Sequence, residues 1–346
     1  MATCAGSCGF LPASQADADG LITKSTHSGP ISTAIGADDK VPARQGHMRP
    51  PQMRVLAPGG ARFPVRGTWL LSAILGAALA TTAPALGHAQ GKLEARYTAT
   101  LAGIPIGKGA WTVDIRDRHY SAAADGRVAG LMRAITRGDG TVSVEGTMSG
   151  GRLVPTAYAA HTAQDHRSIE IRMTLSSGTV TDLLAEPVAP PSPDRIPLSE
   201  EHRHGVVDPM SAALIGLPAG GELLSPEACR RTLPIFDGYQ RFDLALAFKR
   251  MDEVWTEHGY RGPVVVCSVA YRPIAGHRPG RFAIKYLMEQ RDMEIGFAPI
   301  AGTRVLAAYR MFIPTLVGAA VLQATQFTTG VSASRAGAAV PDTKTQ

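Results

Sequence analysis

The chain is poor in aromatic and charged residues. Aromatic residues make up 6% of its 346 residues and charged residues 18%, and 35 Lys+Arg against 29 Asp+Glu leave a net charge of only +6. Because charge is sparse and not collected into large blocks, the composition excludes a polybasic nucleic-acid binder. Hydrophobic residues reach 45%, which excludes a wholly disordered chain.

Catalytic motifs are also missing. The sequence contains no G-x-S-x-G nucleophile elbow, no H-E-x-x-H zinc motif, no G-x-G-x-x-G that opens a helix and no phosphate-binding P-loop. We therefore expect a protein that is not an enzyme and that uses no cofactor.

Glycine and proline, in contrast, are plentiful, at 37 and 25 residues. Apolar and polar residues alternate along 93–101 and 111–116, which is the period of a half-buried strand. The turn between these two segments predicts an antiparallel pair. The same alternation predicts further strands at 141–145, 168–176, 242–248, 264–271, 282–288, 293–298, 305–313 and 317–327.

Helical patterns are few. One or two helical turns are predicted at 129–136, and a short helix at 208–217 with Asp208 as its N-cap and Pro209 at its first position. Five prolines between 186 and 200 predict an extended connection between two halves of the sheet. We expect a mainly β (α+β) protein, with a curved antiparallel sheet or partly open barrel and one or two short helices.

The first 89 residues differ from the rest. Residues 1–66 show no apolar periodicity, which predicts a disordered leader, or a start site assigned too far upstream. Arginines precede the uncharged apolar segment 68–86, and small residues stand at Gly87 and Ala89, so 67–89 is predicted to be a signal peptide cleaved after Ala89. The alternative is a membrane anchor through 67–86.

This division predicts a single β-rich domain at 90–330 and a disordered tail at 331–346. It also predicts export to the periplasm, or attachment to the inner membrane if the segment is not cleaved. Because export removes the protein from the cytoplasm, we expect no nucleic-acid partner in either case. Of the four cysteines, only Cys229 and Cys267 follow the signal segment. An even pair in an oxidising compartment predicts a disulfide, with two buried free thiols as the alternative.

Several short motifs resemble a known family. They are L-A-G-I-P-I-G at 101–107, V-D-P-M-S-A at 207–212, F-D-G at 236–238 and R-F-D at 241–243, together with Tyr97 and Cys229. In this order and spacing they resemble the domain-of-unknown-function family 3108, secreted envelope proteins of Gram-negative bacteria, over about 93–327. The resemblance implies a periplasmic, mostly antiparallel β domain. It brings no catalytic residues. By looser analogy, such a sheet is similar to the half-open barrels of periplasmic lipoprotein carriers.

Two histidines form a weak candidate metal site. His202 and His204 precede Asp208, and imidazole and carboxylate groups are ligands that zinc prefers. On a strand, both histidines of this H-x-H spacing would share a face. The alternative interpretation is a pair of surface histidines next to an N-capping aspartate.

The carboxylates Asp208, Asp237 and Asp243, with Arg241, form the candidate functional cluster. Two of them in one cleft would suit general acid and base chemistry of the kind used in glycoside hydrolysis. The alternative is a hairpin turn at Asp237 with a local ion pair between Arg241 and Asp243. A third candidate is a basic rim for anionic headgroups or glycan phosphates, formed by Arg272, Arg278, Arg281 and Lys285.

These patterns lead to one main hypothesis and two alternatives. The sequence predicts a non-catalytic binding or assembly factor for a hydrophobic or amphiphilic envelope ligand, because few helices are available to cover the apolar face of the sheet. After cleavage it would touch the membrane peripherally or not at all. The alternatives are an envelope hydrolase acting through Asp208, Asp237 and Asp243, and a scaffold that pairs with a partner through a sheet edge.

Overall fold

The computed structural model describes residues 90–331, and these residues form one large, predominantly antiparallel sheet that does not close. Its first half is a meander of seven strands: β1 (Gln90–Leu101), β2 (Ile104–Arg116), β3 (His119–Val128), β4 (Gly138–Ser149), β5 (Arg152–Gln164), β6 (Arg167–Ser176) and β7 (Thr179–Glu186). The second half contains β8 (Leu214–Gly216), β9 (Arg231–Phe236), β10 (Arg241–Trp255), β11 (His258–Gly259), β12 (Arg261–Ala275), β13 (Glu294–Pro299), β14 (Val305–Thr315) and β15 (Gly318–Gly330).

The order across the sheet is β7-β6-β5-β4-β3-β2-β1-β15-β14-β13-β12-β10-β9, with β8 added beside β14 and the short β11 parallel to β15. Pairing of β1 with β15 joins the two halves. The described residues also contain two α-helices, α1 (Pro209–Ala212) and α2 (Phe282–Glu289). Three short 3₁₀ helices lie at Gly130–Ala134, Glu200–Arg203 and Pro226–Cys229. Within 90–331 no helix is both long and apolar enough to cross a membrane.

The sheet curls around its core. Along β1, Leu93, Ala95 and Tyr97 are buried while the residues between them are exposed, because successive side chains of a strand point to opposite faces. Val144 of β4 and Val265 of β12 belong to opposite halves of the sheet, yet both lie in one apolar cluster. The inner faces of the two halves therefore pack against each other. A smaller cluster contains Ala212, Ile235, Phe242, Tyr271 and Met293.

Alternate connections of an antiparallel sheet lie at the same end. We call the end at which β1 starts the proximal end and the end at which β1 stops the distal end. The turns at 117–118, 150–151 and 177–178 are proximal. The distal connections are 102–103, 129–137, 165–166, 187–199, 237–240, 276–293, which includes α2, and 316–317.

The fold is self-contained within the described residues. Its strand pairs, its two apolar clusters and the bond between Cys229 and Cys267 are all formed between Gln90 and Gly330. A chain that begins at Gln90, which cleavage after Ala89 would leave, therefore holds all the contacts that define this sheet.

The predicted mainly β fold is confirmed, and two local predictions are wrong. The helix predicted at 208–217 ends at Ala212, because Leu214–Gly216 pairs with β14 as β8. The segment 282–288 is α2 and not a strand: Phe282 contacts Tyr286 at i+4, and Ile284 and Leu287 at i+3 pack on the smaller cluster. The predicted leader, signal segment and almost all of the predicted tail lie outside the described residues.

Candidate ligand groove

An apolar groove runs between the two halves of the sheet. Its cavity volume is about 90 Å³. One wall is formed by β4, β5 and β6, and the other by β9, β10 and β12–β14. Pro209 and Ala212 of α1 and its C-cap residue Ala213 also line the groove. The lining is almost entirely apolar: Val142, Tyr158, Ala160, Ile169 and Ile171 on one wall, and Leu233, Ile235, Phe242, Leu244, Leu246, Val269, Tyr271, Met293, Ile295, Met311, Phe312 and Ile313 on the other.

The helix beside the groove is held by a buried polar network. The Asp208 carboxylate caps α1 by accepting hydrogen bonds from the backbone N–H of Ser211 (2.9 Å) and from its hydroxyl (2.5 Å). Because the Ser211 hydroxyl donates to Asp208, it accepts from the Tyr120 hydroxyl, 2.7 Å away on β3. All three residues are buried. The network attaches α1 to the inner face of the sheet.

Burial raises the pKa of Asp208 to about 6, and the two hydrogen bonds from Ser211 oppose the rise. The same desolvation raises the pKa of Tyr120. Ser211 is therefore bonded to a carboxylate and a phenol. Sequence reasoning missed this arrangement, because nothing near Tyr120 indicates a partner in α1.

Asp237 lies at the distal end of the groove, which we call its mouth. Its Oδ1 accepts hydrogen bonds from the backbone N–H groups of Tyr239 (2.8 Å) and Gln240 (2.6 Å), so the carboxylate closes the turn between β9 and β10. Although Asp237 is half-buried, the apolar surroundings raise its pKa to about 6. Gly238 has φ +97, and a Cβ there would lie 2.8 Å from Ile171 of β6. The turn therefore lies directly against the opposite wall.

The predicted carboxylate cluster does not assemble in the groove. Asp237 lines it, whereas Asp208 and Asp243 are not among the lining residues. Asp243 forms an ion pair with Arg241 at 2.5 Å. Glu294, which sequence reasoning did not single out, does line the groove; Lys249 and Arg250 bind it and hold its pKa at about 2.

The two histidines lie apart from the groove and on no strand. His202 belongs to a 3₁₀ turn, where its Nδ1 contacts Ser199, and His204 ends that turn, with its Nδ1 3.2 Å from the Thr179 hydroxyl. The expected shared strand face is thus wrong. In the part of the chain that the structure describes, no group of three or more His, Cys, Asp or Glu side chains is placed to hold a metal ion.

The residues of the predicted basic rim lie at the distal end. Arg272 is exposed near the end of β12, Arg281 precedes α2 and Lys285 is exposed on it. Arg278 forms an ion pair with Asp194 across 2.9 Å, which ties the segment before α2 to the 187–199 connection.

The predicted disulfide is confirmed. Cys229 and Cys267 are bonded, with Cα atoms 5.4 Å apart, and both are fully buried. The bond attaches the 3₁₀ turn at Pro226–Cys229 to β12, which forms part of the second wall.

Fold and groove together define an open, curved, predominantly antiparallel β protein with an apolar groove between the two halves of its sheet. The sequence pattern of the family described as "Protein of unknown function (DUF3108)" matches residues 96–325, and the chain belongs to this family. The search of curated proteins finds no match. Among solved structures, the chain is similar to a beta-barrel-like protein of the domain of unknown function DUF1849 from Brucella abortus, at 11% identity and a TM-score of 0.39, covering 70% of this chain and 99% of that one.

Proposed function

We propose that this protein binds a hydrophobic or amphiphilic ligand of the cell envelope in its groove, without catalysis. The observation that carries the proposal is the lining: of the side chains that face the groove, Thr162, Asp237 and Glu294 are the polar ones and Tyr158, Tyr239 and Tyr271 carry hydroxyl groups. Ligand sites of this kind are concave and mostly apolar, with a few polar groups that set orientation.

The size of the groove limits how a ligand would lie. Its volume of about 90 Å³ is smaller than the about 150 Å³ of an engineered cavity that holds benzene. An acyl chain would therefore occupy the groove only in part and continue out of its mouth. Asp237 stands at that mouth, where its carboxylate would face the polar end of an amphiphile.

We place this activity in the periplasm. The buried disulfide supports an oxidising compartment, and the predicted signal segment supports export. The hydrolase alternative has less support, because Asp208, Asp237 and Asp243 are each engaged by different partners. The sheet-edge alternative has two end strands, β7 and β9. Pro187 directly follows β7 and Pro234 lies within β9, and proline limits backbone pairing at both edges.

A pair of substitutions on β5 tests the proposal. Ala160 lines the groove, and its neighbour Ala159 points to the other face of the sheet. With the chain from Gln90 to Gln346, we expect binding of a fluorescent fatty-acid analogue, and about a tenfold or greater loss of affinity in Ala160→Phe. Ala159→Phe is the matched control and should bind as the unaltered chain does.

Mass spectrometry of the native protein provides a second measurement. We expect a co-purified lipid that Ala160→Phe no longer retains. If the unaltered chain carries no lipid and binds neither the fatty-acid analogue nor a hydrophobic dye, the proposal fails.

A further inference from the structure

Exposed apolar side chains are concentrated at the distal end of the sheet. Among residues 90–331, nine large hydrophobic side chains are more than half exposed, and Trp255 and Val331 are the two that do not belong to distal connections or their flanking residues. A folded protein normally scatters such residues singly, so a collection at one end marks an interaction surface. The distal ones are Ile104, Leu131, Ile135, Val188, Phe282, Leu316 and Val317.

Contacts link these connections into one surface. The N–H of Ala102 bonds to Ala319 across 2.9 Å, and the N–H of Ala129 bonds to Ile106 at the same distance. The turns that carry Ile104, Leu131 and Val317 are therefore neighbours. On the other side, Ile313 near the end of β14 packs against the same smaller cluster as Ile284 and Leu287 of α2. We call this continuous set of distal connections the distal surface.

Basic residues accompany the apolar ones. The distal connections carry seven Lys and Arg residues against five Asp and Glu residues. Apart from the ion pair of Asp194 with Arg278 and from Asp237, which is held in its turn, six basic residues stand against three acidic ones. Exposed aliphatic and aromatic side chains beside Lys and Arg are the composition of segments that lie in the interface of anionic membranes. The basic residues are Arg133, Arg137, Arg195, Arg278, Arg281, Lys285 and Arg291.

We propose that the distal surface docks on an anionic lipid bilayer, with Leu131, Phe282, Leu316 and Val317 entering the interface and Arg133 and Lys285 contacting headgroups. A second copy of the chain fits this surface less well, because a two-fold contact would bring like-charged segments together. The proposal goes beyond ligand binding in the groove. Because the turn at Asp237 is also distal, docking would place the groove mouth next to the bilayer.

Binding to vesicles tests the proposal with matched variants. With the chain from Gln90 to Gln346, we expect sedimentation with vesicles of equal parts phosphatidylglycerol and phosphatidylcholine, and little with phosphatidylcholine alone. The double variant Leu316→Ser, Val317→Ser should lower the partition coefficient about tenfold or more. Arg133→Gln and Lys285→Gln should each lower it about fivefold. Trp255→Ser, which removes an equally exposed side chain at the proximal end, should leave it unchanged.

Hydrogen exchange locates the contact without a substitution. Amides of 102–104, 129–137 and 315–318 should exchange more slowly with the anionic vesicles, whereas those of the proximal turns 117–118 and 150–151 should not change. The proposal would be overturned if the chain did not bind the anionic vesicles, or if amide exchange slowed equally at the proximal and distal ends. It would also be overturned if Trp255→Ser lowered the partition coefficient as much as the Leu316→Ser, Val317→Ser variant does. A concentration-dependent dimer that Val317→Ser abolishes would overturn it as well, because the surface would then join two copies.

The groove proposal can fail independently of this one. The affinity of the Leu316→Ser, Val317→Ser variant for the fatty-acid analogue tests whether its groove is intact. Vesicle binding by Ala160→Phe tests whether its distal surface is intact. We expect each of these two values to equal that of the unaltered chain.

Discussion

The hydroxyl groups of Tyr120 and Ser211 lie 2.7 Å apart although 91 positions separate the two residues in the chain. Tyr120 is on β3, in the first half of the sheet, and Ser211 is in α1, beside the groove. Their hydrogen bond attaches the helix to the sheet, and the Asp208 carboxylate completes the network. This contact and the backbone hydrogen bond from the N–H of Ala308 to the carbonyl oxygen of Ala213 together hold α1 beside the groove.

Loss of the Tyr120 hydroxyl should weaken the fold modestly. Tyr120→Phe removes one buried hydrogen bond but leaves Ser211 bonded to Asp208, so we expect the free energy of unfolding to fall by about 1 kcal/mol. Urea unfolding of the chain from Gln90 measures the change. Tyr286→Phe, on the half-buried face of α2, is the control and should lie within about 0.5 kcal/mol of the unaltered chain. Equal effects of the two changes would contradict the role of the network.

The raised pKa of Asp208 predicts a dependence of stability on pH. Its folded pKa is about 6 against a reference value of 3.8, so the folded state binds more protons than the unfolded state between these values. This carboxyl group therefore lowers stability as pH rises from about 4 to 6, by on the order of 3 kcal/mol. Asp208→Asn keeps a capping side chain but cannot titrate. We expect the variant to gain stability relative to the unaltered chain as pH rises over that range, measured as the difference between their free energies of unfolding. A constant difference would show that the pKa is not raised.

The disulfide should contribute substantially to stability. Cys229 and Cys267 are separated by 38 positions, and closing a loop of that length stabilises a protein by about 4 kcal/mol in the chain-entropy model. The double variant Cys229→Ala, Cys267→Ala should lose about this amount in urea unfolding. Addition of a reductant should destabilise the unaltered chain and leave the variant unchanged. A loss below about 1 kcal/mol would contradict this prediction.

A glycine next to Tyr120 should not tolerate a methyl group. A Cβ on Gly146 would lie 2.5 Å from both the Tyr120 ring and the Val154 carbonyl oxygen. Gly146→Ala must displace the ring and should cost about 1–3 kcal/mol. Gly296, also buried in a strand, is the matched control because the nearest atoms to its added Cβ are 3.9 Å away. Thermal unfolding compares the two, and the prediction fails if their transitions shift equally.

Local patterns predicted much of the sheet and little of the groove. The alternation in β1 and along 111–116 of β2 was clear because one face of each of these segments is buried and the other is not. The predictions did not include β5, which is rich in alanine, so its two faces differ little in hydropathy. They also did not include β3, where the three alanines 122–124 interrupt the alternation of apolar and polar residues. Alternation in 282–288 was misleading, because a helix that is half exposed on a surface also mixes apolar and polar residues over so short a length.

Of the candidate residues, Asp208 was predicted correctly as an N-cap, since Asp followed by Pro is a local signal. Asp237 was predicted correctly in its turn, since Asp followed by Gly is also a local signal, and so was the local ion pair of Asp243 with Arg241. That Asp237 lines an apolar groove and Asp243 does not was not predictable, because it depends on which strands the sheet brings opposite each other.

The sequence by itself determined the class of fold, the cap of α1, the turns and the only cysteine pair that follows the apolar segment, because these depend on residues close together in the chain or on composition. The tertiary structure alone decided that Tyr120 meets Ser211, that two halves of one sheet enclose an apolar groove, and that the exposed apolar side chains gather at the distal end. Each of these results needs the curvature and strand order of the sheet, which arise from contacts between residues distant in sequence.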